Sequence, residues 1–151
     1  MKQNINEIFK LFLSERKKDL APRTYSYYEE AMGLLRHCFD GYGYMFLDDE
    51  QNKVYDIKFD QGIEFCDQYD PNVLNDGMFS EFLGYFLPKK VVIGLDGAQK
   101  ICGACLNFYK WLVMNKLITD KELSETVSDL RYIFNDAWKE FNKPFEEGNY
   151  F

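Results

Sequence analysis

The side chains of this chain that could do chemistry are few, because it has one histidine and four cysteines in 151 residues. Cys102 and Cys105 form a C-x-x-C pair, a spacing found in redox centres and zinc sites. A redox pair works with its first sulfur at a helix N-terminus, but this pair follows the expected helix start at Asp96 by about two turns and lies on the apolar face. We therefore expect buried thiols that let helices approach one another.

No other residue lies in a sequence context that indicates a catalytic role. His37 lacks a serine or cysteine in the sequence context of a nucleophile, and the common phosphate-binding and zinc-hydrolase motifs are absent from the sequence. Asp48 with Asp49 could hold a divalent cation, but the regular spacing of a calcium loop is missing. The sequence predicts a protein that is not an enzyme, with no catalytic residue, cofactor or metal.

Acidic residues are concentrated in one segment of the chain. Nine acidic and two basic residues lie between Asp48 and Asp76, which accounts for the whole net charge of −7. Since the remainder is neutral, the acidity does not by itself argue against a nucleic-acid partner. The segment is either a solvated surface or a face on which Asp48, Asp49 and Glu50 bind a basic protein partner, in the extreme case by imitating DNA phosphates.

Basic residues gather near two expected helix ends and could form one phosphate-binding patch if those ends meet in space. A solvated pair of helix ends, with lysines favourably placed near helix dipoles, is the alternative. The candidate DNA-binding residues are Arg16, Lys17, Lys18, Arg23, Tyr27, Lys89 and Lys90.

Apolar residues recur with helical period in five stretches, which predicts an all-α bundle of about five helices in a single domain spanning residues 1–151. The predicted helices run from Ile5 to near Lys18, from Pro22 to Asp40-Gly41, from Met78 to a stop at Pro88, from a cap at Asp96 to Asn115, and from a capping box at Thr119 and Glu122 to Pro144.

The acidic insert, residues 44–76, is harder to interpret. Residues 44–47 and 54–59 flank a polar stretch and could pair as a short hairpin, yet a helix fits the same residues about as well. The sequence holds neither an apolar stretch long enough for a membrane span nor an N-terminal export signal. We expect a cytoplasmic protein.

Two motifs are similar to a known pattern. Residues 20–28, Leu-Ala-Pro-Arg-Thr-Tyr-Ser-Tyr-Tyr, follow Leu-Ser-Pro-x-Thr-x-x-x-Tyr, with Ala21 for the serine. Residues 98–112 end in an aromatic residue and Trp-Leu, and Asn-Lys-Leu-Ile at 115–118 stands where a Gly-x-Ile turn is usual. Together they resemble the SAM-like core-binding domain of tyrosine recombinases and phage integrases, which also occurs alone in small prokaryotic proteins.

This resemblance implies a compact helical domain that clamps one face of duplex DNA. It also implies a non-catalytic module, such as an accessory factor of a mobile element, because the second domain that carries the recombinase nucleophile has no room in 151 residues. The chain departs from the pattern on its last long helix, where Ile101, Cys102 and Leu106 replace arginines that commonly face DNA.

Overall fold

The computed structural model describes residues 2–142, and within that range the chain is helical with no strand. The all-α prediction is confirmed. The α-helices are α1 (Ile5–Asp19), α2 (Pro22–Tyr42), α3 (Asp49–Asp60), α4 (Phe65–Gln68), α5 (Asp76–Glu81), α6 (Leu95–Met114) and α7 (Leu123–Phe141). A π-helix, Phe82–Lys90, continues α5, and 3-10 turns occupy Gly43–Phe46 and Pro71–Val73.

The expected number of five helices is too low, because the acidic insert adds α3 and α4 to the described chain. The hairpin interpretation of residues 44–60 is wrong, and the helical alternative holds. The Asp48 side chain accepts a hydrogen bond from the backbone N–H of Gln51, while the Gln51 side chain accepts one from the N–H of Asp48. This reciprocal capping box satisfies two backbone donors that a helix start would otherwise leave unpaired.

Two predicted helix starts are displaced. Helix α6 begins after Gly94, and Asp96 lies in its first turn, where it pairs with Lys100 rather than capping the helix. Helix α7 begins at Leu123, and the Thr119 capping box does not form. Asp120 instead accepts the backbone N–H of Glu122, so its carboxylate satisfies a donor that the predicted box assigned to Thr119.

The predicted stop at Pro88 is also displaced, because the helix continues through Pro88 as part of the π-helix and ends at Lys90. Proline lacks a backbone N–H and so cannot complete the ordinary α-helical hydrogen-bond ladder. The wider π-helical register accommodates Pro88, which is buried. The predicted end of the last helix at Pro144 lies outside the described residues.

Helix α6 is the central element of the bundle. It packs against α2, α7 and the π-helix, and its buried side chains surround it on most sides. Ile101, Cys102 and Leu106 are at most 1% exposed, so the positions where the resembled domain has arginines face the core here. A helix that is apolar on most sides must be enclosed, which leaves only its polar residues for contact with a ligand.

The end of α6 is closed by a left-handed turn. The backbone N–H of Leu117 donates to the carbonyl of Leu112, and that of Lys116 donates to Val113, the two bonds of a Schellman motif. Lys116 has a φ of 60°, a conformation that glycine adopts with less strain. Lys116 is also the position at which the resembled Gly-x-Ile motif has its glycine.

Replacing Lys116 with glycine is therefore expected to raise the free energy of unfolding by about 0.5–1 kcal/mol, because the left-handed backbone strain disappears. Urea denaturation of the wild type and the variant measures the difference. The matched control is Lys121→Gly, outside the motif, where no gain is expected. A loss of stability in Lys116→Gly would show that the side chain contributes more than its backbone conformation costs.

Candidate nucleic-acid interface

The first group of predicted site residues lies where α1 turns into α2. Leu20 and Ala21 connect the two helices, and Pro22 starts α2 at a position where its missing N–H is not needed. Arg16, Lys17 and Lys18 occupy the last turn of α1, and the negative end of the helix dipole favours their charges. The short connector brings these residues next to the first turn of α2, which contains Arg23.

Helix α6 adds a fifth basic residue to this group. Lys100 places its Nζ atom 4.9 Å from the centre of the Tyr27 ring, a cation–π contact between α6 and α2. Lys100 also lines a cavity of about 270 Å³ together with Arg23 and Tyr27. We define the basic corner as the five residues Arg16, Lys17, Lys18, Arg23 and Lys100.

Three members of the basic corner have no ion-pair partner among residues 2–142: Lys17, Lys18 and Arg23, all exposed. Arg16 lies 3.8 Å from Asp19, and Lys100 lies 3.1 Å from Asp96. The Lys100 pair is exposed and therefore weak, whereas the Arg16 side chain is half-buried. Lys17, Lys18, Arg23 and Lys100 are thus the members of the corner most able to contact phosphate oxygens.

An aromatic side chain supports the corner. The Lys17 Nζ atom lies 5.9 Å from the centre of the Tyr25 ring. The Tyr25 hydroxyl is protonated at neutral pH, and desolvation and the nearby charge of Glu29 raise its pKa further. That hydroxyl is therefore a hydrogen-bond donor of the kind that contacts DNA phosphates.

Lys89 and Lys90 do not join the basic corner. The Nζ atom of Lys90 lies 5.8 Å from the Tyr85 ring, which in turn packs against Tyr42 at the end of α2. Lys89 lies over Phe141 near the end of α7. Arg23 and Tyr42 are 19 residues apart on α2, which corresponds to about 28 Å at 1.5 Å per residue. The structure thus divides the predicted basic residues between the two ends of α2.

The acidic insert lies at the end of the α1–α2 hairpin that is remote from the basic corner. Asp40, near the end of α2, accepts the backbone N–H of Cys66 in α4 at 2.9 Å. At the start of α1, the backbone N–H of Ile5 donates to the carbonyl of Tyr69 just after α4. Arg23 and Asp40 are separated by about 26 Å along α2, several times the ~8 Å screening length at physiological salt.

The predicted partner-binding acids all lie at the exposed start of α3. Asp48 caps the helix, and Asp49 and Glu50 occupy its first turn, where negative charge is stabilised by the helix dipole. A structural role in starting α3 is therefore sufficient to explain their positions, which leaves their role in partner binding a prediction.

The cysteines are buried free thiols, as predicted for Cys102 and Cys105. Desolvation raises the pKa of Cys102 to about 11 and that of Cys38 to about 12. Desolvation also raises the pKa of Cys66 and Cys105. At neutral pH these thiols remain protonated, and a protonated thiol is a poor nucleophile and metal ligand.

His37 is exposed on α2 and lines a cavity of about 600 Å³ with Arg36, Asp40 and Glu64. A hydrogen bond and charge repulsion from Asp40 raise the pKa of Glu64. The Asp40 carboxylate is already engaged by Arg36 at 3.5 Å and by the Cys66 N–H. These contacts tie α4 to α2, and within the described part of the chain no three metal-ligating side chains cluster together.

Lys100 is not among the residues predicted from the sequence, because its contact with Tyr27 depends on how α6 packs on α2. No helix among residues 2–142 is long and apolar enough to cross a membrane.

Comparison with models of protein families finds no match for this chain, and comparison with curated proteins and with solved structures finds none either.

Proposed function

We propose that the chain is a non-catalytic DNA-associated module of the recombinase core-binding type, such as an accessory factor of a mobile element, and that the basic corner contacts DNA phosphates. The separation of charge along the α1–α2 hairpin carries the proposal. Carboxylates beside a phosphate site would repel DNA. Asp19 and Asp96 lie in the basic corner, where each is paired with one of its bases, while the acidic insert lies at the far end of the hairpin. Lys89 and Lys90 are left out of the proposed interface.

Two further features support the same proposal. The basic corner combines three residues of α1 with one each of α2 and α6, and the sequences of α2 and α6 carry the resemblance to the recombinase domain. The left-handed conformation of Lys116 also fits the turn for which the resembled motif uses glycine.

The proposal predicts that Lys17→Glu combined with Lys18→Glu weakens binding to a short labelled duplex by about tenfold or more. Each lost phosphate contact also lowers the slope of log affinity against log salt by about 0.9. Fluorescence anisotropy at several salt concentrations between about 50 and 200 mM measures both quantities. Lys89→Glu with Lys90→Glu is the matched control, because it changes the net charge equally at the other end of α2.

Charge reversal at the end of α1 opposes the helix dipole and costs about 0.3–1 kcal/mol per residue, so the glutamine double variant at positions 17 and 18 is measured in parallel. It should also weaken binding and lower the salt slope. Equal losses in the Lys17/Lys18 and Lys89/Lys90 variants would contradict an interface at the basic corner. Undetectable binding of the wild type to duplex and single-stranded DNA at low salt would overturn the proposal.

The second candidate function is an acidic protein-interaction module, or an inhibitor that imitates DNA. Apolar side chains are exposed beside the acids of α3. They favour the protein-interaction module over the DNA-imitating inhibitor, because a protein interface combines apolar contacts with charged ones.

A further inference from the structure

Helix α3 is unusually exposed for its composition. Among the described helices of ten or more residues it alone buries a single side chain, that of Tyr55. Three of its other apolar residues remain largely in solvent: Val54 is 49% exposed, Ile57 62% and Phe59 52%. Contiguous apolar side chains on a surface commonly mark a site of interaction, so α3 is a candidate binding site for a partner.

The outward face of α3 is defined by the direction of Tyr55. That side chain packs inward against Phe65, with ring centres 6.0 Å apart, and stacks on Tyr44 at 6.1 Å. Val54 and Ile57 are three residues apart and therefore share a face, which the helical period turns away from Tyr55. The two side chains form a short apolar ridge on the solvent side.

A line of carboxylates runs beside this ridge. Asp49, Asp56 and Asp60 are spaced by seven and four residues, so they lie along one side of the helix. All three are exposed, and none has an ion-pair partner within 4.0 Å among residues 2–142. Lys53 is exposed in the same row, one turn from both Asp49 and Asp56, so the row carries a net charge of −2 beside the apolar ridge.

We propose that this face of α3 docks a basic amphipathic helix of a partner protein. The apolar side of such a helix covers Val54 and Ile57, and its lysines or arginines lie against the acidic line. Charge complementarity supplies the orientation and accelerates association, while the buried apolar contact holds the complex together. A nucleic acid does not fit, because its phosphates would face a row in which three carboxylates outnumber one lysine.

Residues 2–142 of a second copy of the chain do not supply the required helix. The basic helix of the chain itself is α1, and its apolar side, which includes Ile5, Ile8 and Phe12, is buried in the core. The proposed docking face rests on the second candidate function, the protein-interaction module, and specifies its partner. It does not depend on the DNA proposal, because it lies in the insert, remote from the basic corner.

The test uses a fluorescent synthetic peptide of leucine and lysine arranged as an amphipathic helix, and a second peptide of the same composition in scrambled order. The wild type is expected to bind the amphipathic peptide about tenfold more tightly than the scrambled one. Val54→Ser with Ile57→Ser should weaken that binding about tenfold, as expected for truncated anchor residues. Asp56→Asn with Asp60→Asn should mainly slow association and reduce its salt dependence.

Matched controls lie on α7: Tyr132→Ser removes another exposed aromatic side chain, and Asp129→Asn with Asp136→Asn removes two exposed charges. They should bind the amphipathic peptide like the wild type. Equal binding of the two peptides, or equal losses in the α3 and α7 variants, would overturn the proposal. Sedimentation that shows a wild-type dimer abolished by Val54→Ser with Ile57→Ser would do the same and assign the face to a second copy.

The DNA and docking proposals can fail separately. The Lys17→Glu, Lys18→Glu variant should retain full affinity for the amphipathic peptide, and the Val54→Ser, Ile57→Ser variant should retain full affinity for duplex DNA. Because all the substituted side chains of α3 are exposed, circular dichroism should show unchanged helix content in these variants.

Discussion

Replacing Phe108 with alanine is expected to lower the free energy of unfolding by about 3–5 kcal/mol. Phe108 is fully buried on α6, and its ring lies 5.0 Å from that of Phe12, 5.3 Å from Phe9 and 6.2 Å from Phe79. The substitution removes this contact between α6, α1 and α5 and leaves a cavity that the neighbours fill only in part. Since small domains are stable by about 5–15 kcal/mol, the loss is a large share of the total.

Urea denaturation followed by circular dichroism measures this loss. Tyr132→Ala is the matched control, because its aromatic side chain is 70% exposed and its removal should change stability by about 0.5 kcal/mol at most. A loss below about 1.5 kcal/mol in Phe108→Ala would mean that the aromatic cluster is not the centre of the core.

The sequence predicts the helices that form this cluster because each has a periodic apolar stripe. Phe12 on α1 and Leu35 on α2 are spaced as core residues, and both are fully buried. The stripe on α6 likewise predicts the burial of Cys105. In these helices the local pattern and the tertiary packing favour the same structure, so the pattern alone predicts the helix and its buried side.

The insert could not be assigned in the same way. Residues 55–59 alternate between apolar and polar side chains, as in a half-buried strand, but two of the three apolar ones, Ile57 and Phe59, are largely exposed in the structure. The capping box at Asp48 and the contact of Tyr55 with Phe65 determine the helix. Only the first of these is local in sequence, and a helix cap alone does not decide between a helix and a strand.

The candidate site residues also fall into two groups: those that local sequence places together and those that only the packing of distant helices places. Arg16 and Arg23 are neighbours in space because a two-residue connector joins their helices, which sequence alone predicts. The addition of Lys100 and the separation of Lys89 and Lys90 depend on how distant helices pack, and helix packing angles cannot be inferred from the periodicity of a single helix.

Replacing Tyr109 with phenylalanine is expected to lower the free energy of unfolding by about 1.5–3 kcal/mol at neutral pH, the usual range for a hydrogen bond to a charged group. The Tyr109 hydroxyl, on α6, donates to the Asp120 carboxylate at 2.6 Å and so fixes the connector that leads into α7. This hydrogen bond lowers the pKa of Asp120, with smaller contributions from Thr126 and the Glu122 N–H.

The pH dependence distinguishes this bond from simple packing. Because the pKa of Asp120 is lower in the folded than in the unfolded state, the bond contributes fully above the unfolded value of about 3.9 and is lost as pH falls through the folded value. Urea denaturation at pH 7 and near pH 3 should show the difference between wild type and Tyr109→Phe shrinking at the lower pH. Tyr132→Phe, on the exposed side of α7, should show no difference at either pH. A Tyr109→Phe loss that stays constant with pH would mean that the hydroxyl acts through packing and that Asp120 is not its charged partner.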